Sequence, residues 1–220
     1  VMLKKADPVV PRSPIVGITE RVDYKGQVLV PLNLKEAERG IKGLKKEGVE
    51  AVAISLLWSF MNPSHERKMK ALVRKLIPKA FMTASSDFVP LMNEYERTAT
   101  TAVNAYLGPS VAEYITNLQK ELKRRGLKIP LFMMQSMGGS VPAKEVSDKP
   151  LHILSSGPVG GVMGAATLGK LLGYKDIITT DVGGTSFDVS LVADGEPQMA
   201  PFPFLGQYHL LLPILDIHSI

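Results

Sequence analysis

One short stretch, residues 181–188, constrains the fold of this chain more than any other; it reads D-V-G-G-T-S-F-D. A β-branched, apolar run precedes it from Ile178, and strict alternation of apolar and polar residues follows it. This pattern predicts a strand, a tight turn and a second strand. We expect the two glycines to adopt positive φ and to let the backbone approach a ligand closely. A plain hairpin with two solvated aspartates is the alternative on spacing alone.

The turn carries the residue types of a phosphate site. Successive backbone N–H groups in such a turn form a concavity that binds anions. The predicted phosphate-binding residues are Gly183, Gly184, Thr185, Ser186 and Asp188. Asp181 stands at the mouth of the turn, where a carboxylate can hold Mg²⁺ through water or orient an attacking water. It is therefore the candidate catalytic residue and metal ligand.

A glycine-rich segment precedes this stretch. Residues 156–166 read S-G-P-V-G-G-V-M-G-A-A, and each interior glycine costs a helix roughly 1 kcal/mol relative to alanine. The usual reason to accept that cost is close packing of the backbone on another element or on a ligand. Pro158 suits the first turn of a helix, whose free N–H groups attract anions. Gly157 is therefore added to the candidate phosphate-binding residues.

The rest of the chain alternates helical and strand patterns. This rhythm predicts an α/β fold with mixed sheets flanked by helices. The predicted elements are a helix from the N-cap Asn33 to Gly48, a buried strand within 49–57, a helix from Asn62-Pro63, a strand over 80–84, a helical tract over 91–125 interrupted at Gly108-Pro109, and a buried strand over 131–135 that leads into Gly138-Gly139. The last loop is predicted either to bind a ligand or to form a simple turn before a helix.

Composition excludes several classes of function. The chain has 220 residues and no cysteine, so disulfides and thiolate metal sites are absent, in keeping with a cytoplasmic location. The net charge of +5 arises from lysines and arginines interleaved with glutamates on helical faces, which argues against a nucleic-acid interface. No apolar run approaches the ~20 residues of a membrane span. The four histidines show no metal-ligand spacing.

Several motifs in order resemble one family. The 181–188 stretch resembles the second phosphate loop of the actin, sugar-kinase and heat-shock-chaperone ATPases. N-E-Y-E-R-T at 93–98, N-A-Y-L-G-P at 104–109 and S-S-G-P-V-G-G at 155–161 then resemble the hydantoinase A/oxoprolinase branch. The resemblance covers the chain from about Gly17 to Ile220. It implies part of an actin-like ATPase (ribonuclease H-like) fold.

The resemblance also implies a division into two lobes. Residues 1–155 would form the remainder of the first ATPase lobe with a helical insertion. Residues 156–220 would form the crossing helix and the start of the second lobe, with the phosphate-binding hairpin. The first phosphate loop of such ATPases is missing. Because the chain begins at Val1 and ends in an apolar stretch, we expect an internal fragment of a longer protein that is inactive in isolation.

The activity implied is ATP- and Mg²⁺-dependent hydrolysis of a cyclic amide, such as a hydantoin or 5-oxoproline, through phosphorylation of a carbonyl oxygen. The ATPase subunit of a ketone carboxylase and a sugar or acetate kinase are alternatives within the same fold. A partner subunit of the hydantoinase B type is also implied. A different class of function is a non-catalytic module that self-associates through an uncovered sheet face or edge.

Two positions depart from the patterns of related proteins. Met137 stands where the family commonly has asparagine, which weakens a substrate-binding role for that loop. Ser156-Gly157 stands where the chaperone branch has an acidic residue at the start of the crossing helix. The role of general base is therefore expected of Asp181 or of residues outside this chain.

Overall fold

Short strands and helices build two compact units. A computed structural model of the protein describes residues 7–220; residues 1–6, the start of the predicted first lobe, lie outside the described part. The first unit comprises the chain up to Val111 together with Phe204–Leu211, and the second comprises Ala112–Pro203 with Leu212–Ile220. The predicted α/β class with mixed sheets flanked by helices is confirmed. The lobe assignments 1–155 and 156–220 concern the fold of the whole protein and remain a prediction.

The elements follow one another in this order. The first are β1 (Arg21–Val22), β2 (Val28–Val30), α1 (Leu34–Lys46), β3 (Ala51–Ile54), α2 (Ser64–Leu76), β4 (Phe81–Ala84), α3 (Ser85–Phe88) and α4 (Glu94–Arg124). Then come β5 (Phe132–Met134), β6 (Ser140–Pro142), α5 (Ala143–Val146), a 3₁₀ helix (Pro150–Ile153) and α6 (Ser156–Leu172). The last are β7 (Ile177–Val182), β8 (Phe187–Ala193), β9 (Glu196–Pro197), β10 (Met199–Ala200), β11 (Phe204–Leu205), β12 (Tyr208–His209), β13 (Ile214–Leu215) and β14 (Ile217–Ser219).

The first unit is centred on a parallel pair of strands. β3 and β4 pair in parallel, with Ala51 opposite Phe81, and α1 and α2 pack together beside them. The predicted cap of α1 is present, since the Asn33 side chain accepts a hydrogen bond from the Glu36 N–H. Buried apolar side chains of α1, α2 and both strands form one cluster: Leu32, Ala37, Ile41, Val52, Ile54, Met69, Val73 and Ala84.

A charged network lies buried next to the carboxyl ends of these strands. Glu66 is completely buried; its Oε1 accepts from the Leu56 N–H at 2.8 Å and the Ser85 hydroxyl at 2.7 Å, and its Oε2 accepts from the Ser86 N–H at 2.8 Å. Arg97 is also buried and donates to the carbonyls of Leu91 at 3.0 Å and Leu56 at 2.8 Å. The network therefore joins α2, α3 and α4 with the loop after β3 and the loop between α3 and α4.

Burial of this network is unfavourable for the charge of Arg97. Burial lowers the pKa of the Arg97 guanidinium, and the nearby Glu94 and Glu66 carboxylates oppose that shift. Arg97 Nε has no hydrogen-bond partner among the described residues. The guanidinium carbon of Arg97 lies 5.3 Å from the centroid of the Phe60 ring, a distance at which the cation is attracted to the aromatic ring.

The predicted break at Gly108-Pro109 is wrong, because α4 runs through both residues for 31 residues. Proline inside a helix costs about 3 kcal/mol, and tertiary packing outweighs that cost here. Gly108 packs against the Phe81 ring so closely that a Cβ would lie 2.2 Å from the ring's Cδ1. Neighbouring alanine and valine side chains of the helix are buried as well: Ala99, Ala102, Val103 and Ala105.

The segment around Gly138-Gly139 also differs from expectation. β5 is not a buried strand, since Phe132 is 55% exposed, and it pairs antiparallel with β6 instead of leading directly into a helix. Both glycines adopt positive φ, +86° and +75°, within the five-residue loop 135–139 that connects these strands. A Cβ on Gly138 would lie 2.9 Å from the Met163 sulfur, so packing explains this glycine without a ligand.

The second unit is built on a four-stranded antiparallel arrangement. β8 lies between β7 and β14, and the two-residue β9 also pairs with β8. α6 packs on this sheet through Val159, Val162 and Ala166, which form a cluster with Val192 and Leu215. Gly169 of α6 brings the helix close to β7, since a Cβ there would lie 2.2 Å from Ile177 Cδ1. The sheet and α6 together hold the candidate site.

Candidate functional site in the β7–β8 hairpin

The predicted strand–turn–strand is confirmed. β7 and β8 pair along their whole length, from Ile177 opposite Val192 to Val182 opposite Phe187. A four-residue loop, 183–186, connects them, and the Gly183 N–H donates to the Ser186 carbonyl at 3.0 Å. Five of the predicted phosphate-binding residues (Gly183, Gly184, Thr185, Ser186 and Asp188) and Asp181 therefore lie together on this hairpin.

The predicted backbone conformation of the two glycines is wrong. Neither Gly183 nor Gly184 lies in the left-handed region, so the turn itself does not demand glycine through φ. A Cβ on Gly183 would make an ordinary contact of 3.5 Å with the Ser186 carbonyl oxygen, and one on Gly184 would meet nothing within 4 Å. The described residues therefore give no packing reason for Gly184.

The polar face of the hairpin is the packed one. Ser190 and Val192 are buried at 3% and 2% exposure, whereas Leu191 on the opposite face is 50% exposed. Burial of Ser190 is possible because its hydroxyl donates to the Asp216 carbonyl at 2.7 Å. Since side chains alternate along a strand, Asp188 lies on the same face as Ser190 and extends it towards the loop.

The two aspartates of the motif face each other across the hairpin. Asp181 and Asp188 are direct cross-strand partners, and side chains so placed have Cβ atoms about 4.5–5.5 Å apart. Like charges in that position destabilise a sheet unless something compensates them. A bound cation would supply such compensation.

The surroundings of the two carboxylates differ. Asp188 accepts a hydrogen bond from the Ser219 hydroxyl at one oxygen and from the Ser186 hydroxyl, at 3.3 Å, at the other. Asp181 makes no side-chain hydrogen bond and no ion pair with the part of the protein that the structure describes, and it is exposed. One aspartate is thus fixed by its own chain, and the other is available to a ligand.

The loop fits the phosphate of a nucleotide. The backbone N–H groups of Gly184, Thr185 and Ser186 donate to no acceptor within residues 7–220. Donors of this kind on consecutive residues are those that bind phosphate oxygens. The hairpin also fits Mg²⁺, which proteins hold through one or two carboxylates together with substrate phosphates and water. No group of three or more His, Asp or Glu side chains that could hold a metal ion occurs in residues 7–220.

Gly157 lies apart from the hairpin, in the first turn of α6. A Cβ on Gly157, Gly161 or Gly164 would meet nothing within 4 Å, so packing on the described residues does not explain these glycines. Ser155, immediately before the helix, has a left-handed backbone with φ +54°. The structure places Gly157 and the hairpin in the same unit, and its role in phosphate binding remains a prediction.

Ser219 is the residue of this region that sequence reasoning missed. It lies 31 positions after Asp188, on β14, and reaches the aspartate only because β14 pairs with β8 in the register that sets Ser219 opposite Asp188. A three-residue strand after a Pro- and Gly-rich segment gives no sequence signal for that register. Pairing between distant short strands is set by packing of the whole unit.

Comparison with known proteins now places the chain. The sequence profile described as hydantoinase/oxoprolinase matches residues 97–220, and that of the hydantoinase/oxoprolinase N-terminal region matches residues 2–77. The chain belongs to the hydantoinase/oxoprolinase family. The resemblance inferred from the motifs is thereby confirmed.

Individual relatives agree with this assignment. The acetone carboxylase beta subunit of Xanthobacter autotrophicus is 35% identical over 219 residues, which cover 97% of this chain and 30% of the relative. A nucleotide-free structure of acetone carboxylase, from work on ATP-dependent acetone carboxylation, has a TM-score of 0.89 at 33% identity. The match covers 99% of this chain and 31% of the acetone carboxylase chain. The structure of the ATP-dependent caprolactamase from Pseudomonas jessenii has a TM-score of 0.88 at 30% identity. The match covers 100% of this chain and 32% of the caprolactamase chain.

The matches also show how much of each relative this chain corresponds to. It spans about 30% of the length of each of these relatives. The structural likeness confirms the predicted fold class over the whole chain. Within residues 7–220, no helix is both long and apolar enough to cross a lipid bilayer.

Proposed function

We propose that this chain supplies the phosphate-binding hairpin of an ATP-dependent enzyme that acts on a cyclic amide of the hydantoin or 5-oxoproline type. The observation that carries the proposal is the hairpin itself. Within residues 7–220, three consecutive N–H groups of its loop have no acceptor, Asp181 has no side-chain partner, and Asp188 lies opposite Asp181. A family whose relatives include an ATP-dependent caprolactamase, an enzyme named for a cyclic amide, supports the substrate class.

The residues of the hairpin would divide the work as follows. The N–H groups of Gly184, Thr185 and Ser186 bind phosphate oxygens, and absence of a side chain at Gly184 leaves them accessible. Asp181 holds Mg²⁺ directly or through water, or orients an attacking water. Asp188 stays fixed and stabilises the loop through Ser186. When bound, ATP would supply its terminal phosphoryl group to a carbonyl oxygen of the substrate, releasing ADP and activating the carbonyl carbon towards attack by water.

A ketone carboxylase is the second candidate function. It is favoured by the 35% identity to the acetone carboxylase beta subunit. In that reaction ATP would supply a phosphoryl group to the enolate oxygen of the ketone, releasing ADP. Both acetone carboxylase and caprolactamase relatives are named as subunits, so a second subunit, of the hydantoinase B type, is part of either proposal. We also propose a cytoplasmic location for the complete protein.

The experiment that tests the proposal measures ATP hydrolysis by the complete protein with its partner subunit. Hydantoin, 5-oxoproline, and acetone with bicarbonate are offered in turn, and the products are identified by mass spectrometry. We expect hydrolysis coupled to ring opening of a cyclic amide, and loss of at least about 100-fold in rate for Asp181→Ala. Coupling to carboxylation of the ketone would favour the second candidate, and a stable phosphorylated product would favour a kinase.

A matched control lies at the other end of the same hairpin. Asp176 is exposed, accepts one backbone hydrogen bond from Asp194 and precedes β7. Asp176→Ala removes the same side chain away from the loop, so we expect nearly unchanged hydrolysis. Full activity of the Asp181→Ala protein would refute the assignment of the hairpin.

A further inference from the structure

Helices α1 and α4 end with the same type of cap. Each is closed by a glycine of positive φ, Gly48 at +74° and Gly126 at +90°. The N–H of each glycine donates to the carbonyl three residues before it, and the N–H of the next residue donates to a carbonyl five residues before itself. This is the Schellman pattern. The cap therefore makes the same demands on both sequences, and the differences between them have another cause.

The charges at the two caps differ. Residues 45–50, at the end of α1, include two lysines and two glutamates, whereas residues 123–128, at the end of α4, include four basic residues and no acidic one. The helix dipole favours basic residues in the last turn, and both helices have two there. It does not account for Lys128, which lies beyond the last turn of α4.

The positive charge at the end of α4 is only partly offset within the chain. Arg124 and Arg125 share the carboxylate of Glu121, at nitrogen–oxygen distances of 2.7 and 2.8 Å. Lys123 and Lys128 form no ion pair with any of residues 7–220. All residues from 123 to 130 are exposed, so these charges face solvent in the described protein.

The apolar residues that follow the two caps also differ. Val49 and Ile54 follow α1 and pack in the core cluster of the first unit. Leu127 and Phe132 occupy the same positions relative to the cap of α4, but they are 40% and 55% exposed, and Ile129 between them is 70% exposed. Large apolar side chains surrounded by charged and polar ones are typical of protein–protein interfaces.

We propose that residues 120–132, here called the α4-end surface, bind an acidic surface of the partner subunit. The inference rests on the proposed function, which includes that subunit, and adds where on this chain the subunit docks. Carboxylates of the partner would pair with the lysines and arginines, while its apolar side chains would cover Leu127, Ile129 and Phe132. A nucleic-acid backbone would satisfy the charges but leave these three side chains exposed, so a protein is the better match.

The test measures binding of the complete protein to its partner subunit by surface plasmon resonance at low and at high salt. We expect the double variant Lys123→Glu/Lys128→Glu to raise the Kd at low salt at least about tenfold, mainly through slower association. High salt should remove most of this difference, because it screens exposed charges. Lys123→Arg/Lys128→Arg keeps the charge and should stay within about twofold of the wild type. Ile129→Ser removes an apolar anchor and should raise the Kd about tenfold, through faster dissociation.

The end of α1 provides the matched control. Lys45→Glu/Lys46→Glu reverses two exposed lysines beside the same type of cap. We expect its Kd for the partner subunit to stay within about twofold of the wild type. Thermal unfolding of each variant verifies that it is folded, and we expect melting temperatures close to that of the wild type because every substituted side chain is exposed.

The outcomes separate this proposal from the proposed function. An unchanged Kd in Lys123→Glu/Lys128→Glu, or an equal rise in the α1 control, would overturn the docking surface while leaving the subunit partnership in place. Binding to phosphatidylserine vesicles that this double variant loses, with unchanged binding of the subunit, would assign the surface to a membrane and also overturn the proposal. If the wild-type protein does not bind the subunit, the partnership fails and the docking surface with it, whereas ATP hydrolysis that depends on Asp181 would still support the hairpin.

Discussion

The two units of this chain contain acidic residues in opposite situations. In the first unit, the Glu66 carboxylate is completely buried, and its oxygens accept three hydrogen bonds from residues of the same chain. In the second, Asp181 is exposed at a hairpin loop, opposite another carboxylate, and has no partner in residues 7–220. Glu66 is explained by the residues that surround it, whereas the described residues give Asp181 no partner, and its role as a ligand of a nucleotide-bound cation is our proposal.

The comparison separates polar groups that maintain a fold from polar groups that serve a ligand. A buried charge must be satisfied internally, because water cannot reach it. A charge reserved for a ligand must remain unsatisfied by the protein, and it can do so only at an accessible position. The two units also differ in their glycines. A Cβ added to Gly108 would overlap the Phe81 ring, whereas a Cβ added to Gly184 would have no atom within 4 Å.

The largest effect is expected at Glu66. Glu66→Gln places an amide where the Leu56 and Ser86 N–H groups and the Ser85 hydroxyl now find acceptors, and it removes a compensating charge near Arg97. We expect the free energy of unfolding to fall by about 3–5 kcal/mol, measured by urea denaturation. Glu38→Gln, which alters an exposed carboxylate paired with Lys42, is the control and should hardly change stability.

An intermediate effect is expected at Gly108. Gly108→Ala adds a methyl group that would overlap the Phe81 ring. Overpacking of this kind lowers the free energy of unfolding by about 1–3 kcal/mol. Gly184→Ala meets no atom and should leave the unfolding free energy unchanged or slightly higher. We expect it instead to weaken binding of Mg²⁺-nucleotide, because its methyl group stands in front of the loop N–H groups. Equal loss of stability in both variants would remove the distinction between the two glycines.

The smallest effect on stability is expected at Asp181, and its sign is the informative part. Asp181→Asn removes a like charge opposite Asp188, so the protein without ligand should become more stable by roughly 0.2–1 kcal/mol. Thermal unfolding with and without Mg²⁺ measures this gain. Loss of stability in the absence of the cation would show that Asp181 has a structural partner after all.

Local patterns predicted much of the fold. The capped helix at Asn33, the β3–β4 pair and the β7–β8 hairpin each follow from residues close together in sequence, where periodicity and turn chemistry act. The continuity of α4 did not follow, because the packing of Gly108 on Phe81 is a contact between distant residues. Pairing of β5 with β6 was missed because Gly138-Gly139 forms a hairpin turn, a pattern also compatible with a turn into a helix.

The placement of six candidate residues on one hairpin was predicted for the same reason, while their roles remain a prediction. Asp181, Gly183, Gly184, Thr185, Ser186 and Asp188 lie within eight residues, so one hairpin contains them all. The φ angles of its glycines could not be read from their identity, since glycine also adopts ordinary conformations. Ser219 escaped prediction because its contact with Asp188 depends on the pairing of β14 with β8.

The most direct test of the central claim is a calorimetric titration of the complete protein with a non-hydrolysable Mg²⁺-ATP analogue. The account predicts saturable binding by the wild-type protein and binding at least about 100-fold weaker for Asp181→Asn, a difference of roughly 2.7 kcal/mol, with no loss of thermal stability. Equal affinity of the two proteins for the analogue would contradict the claim that the hairpin of residues 181–188 is a nucleotide site.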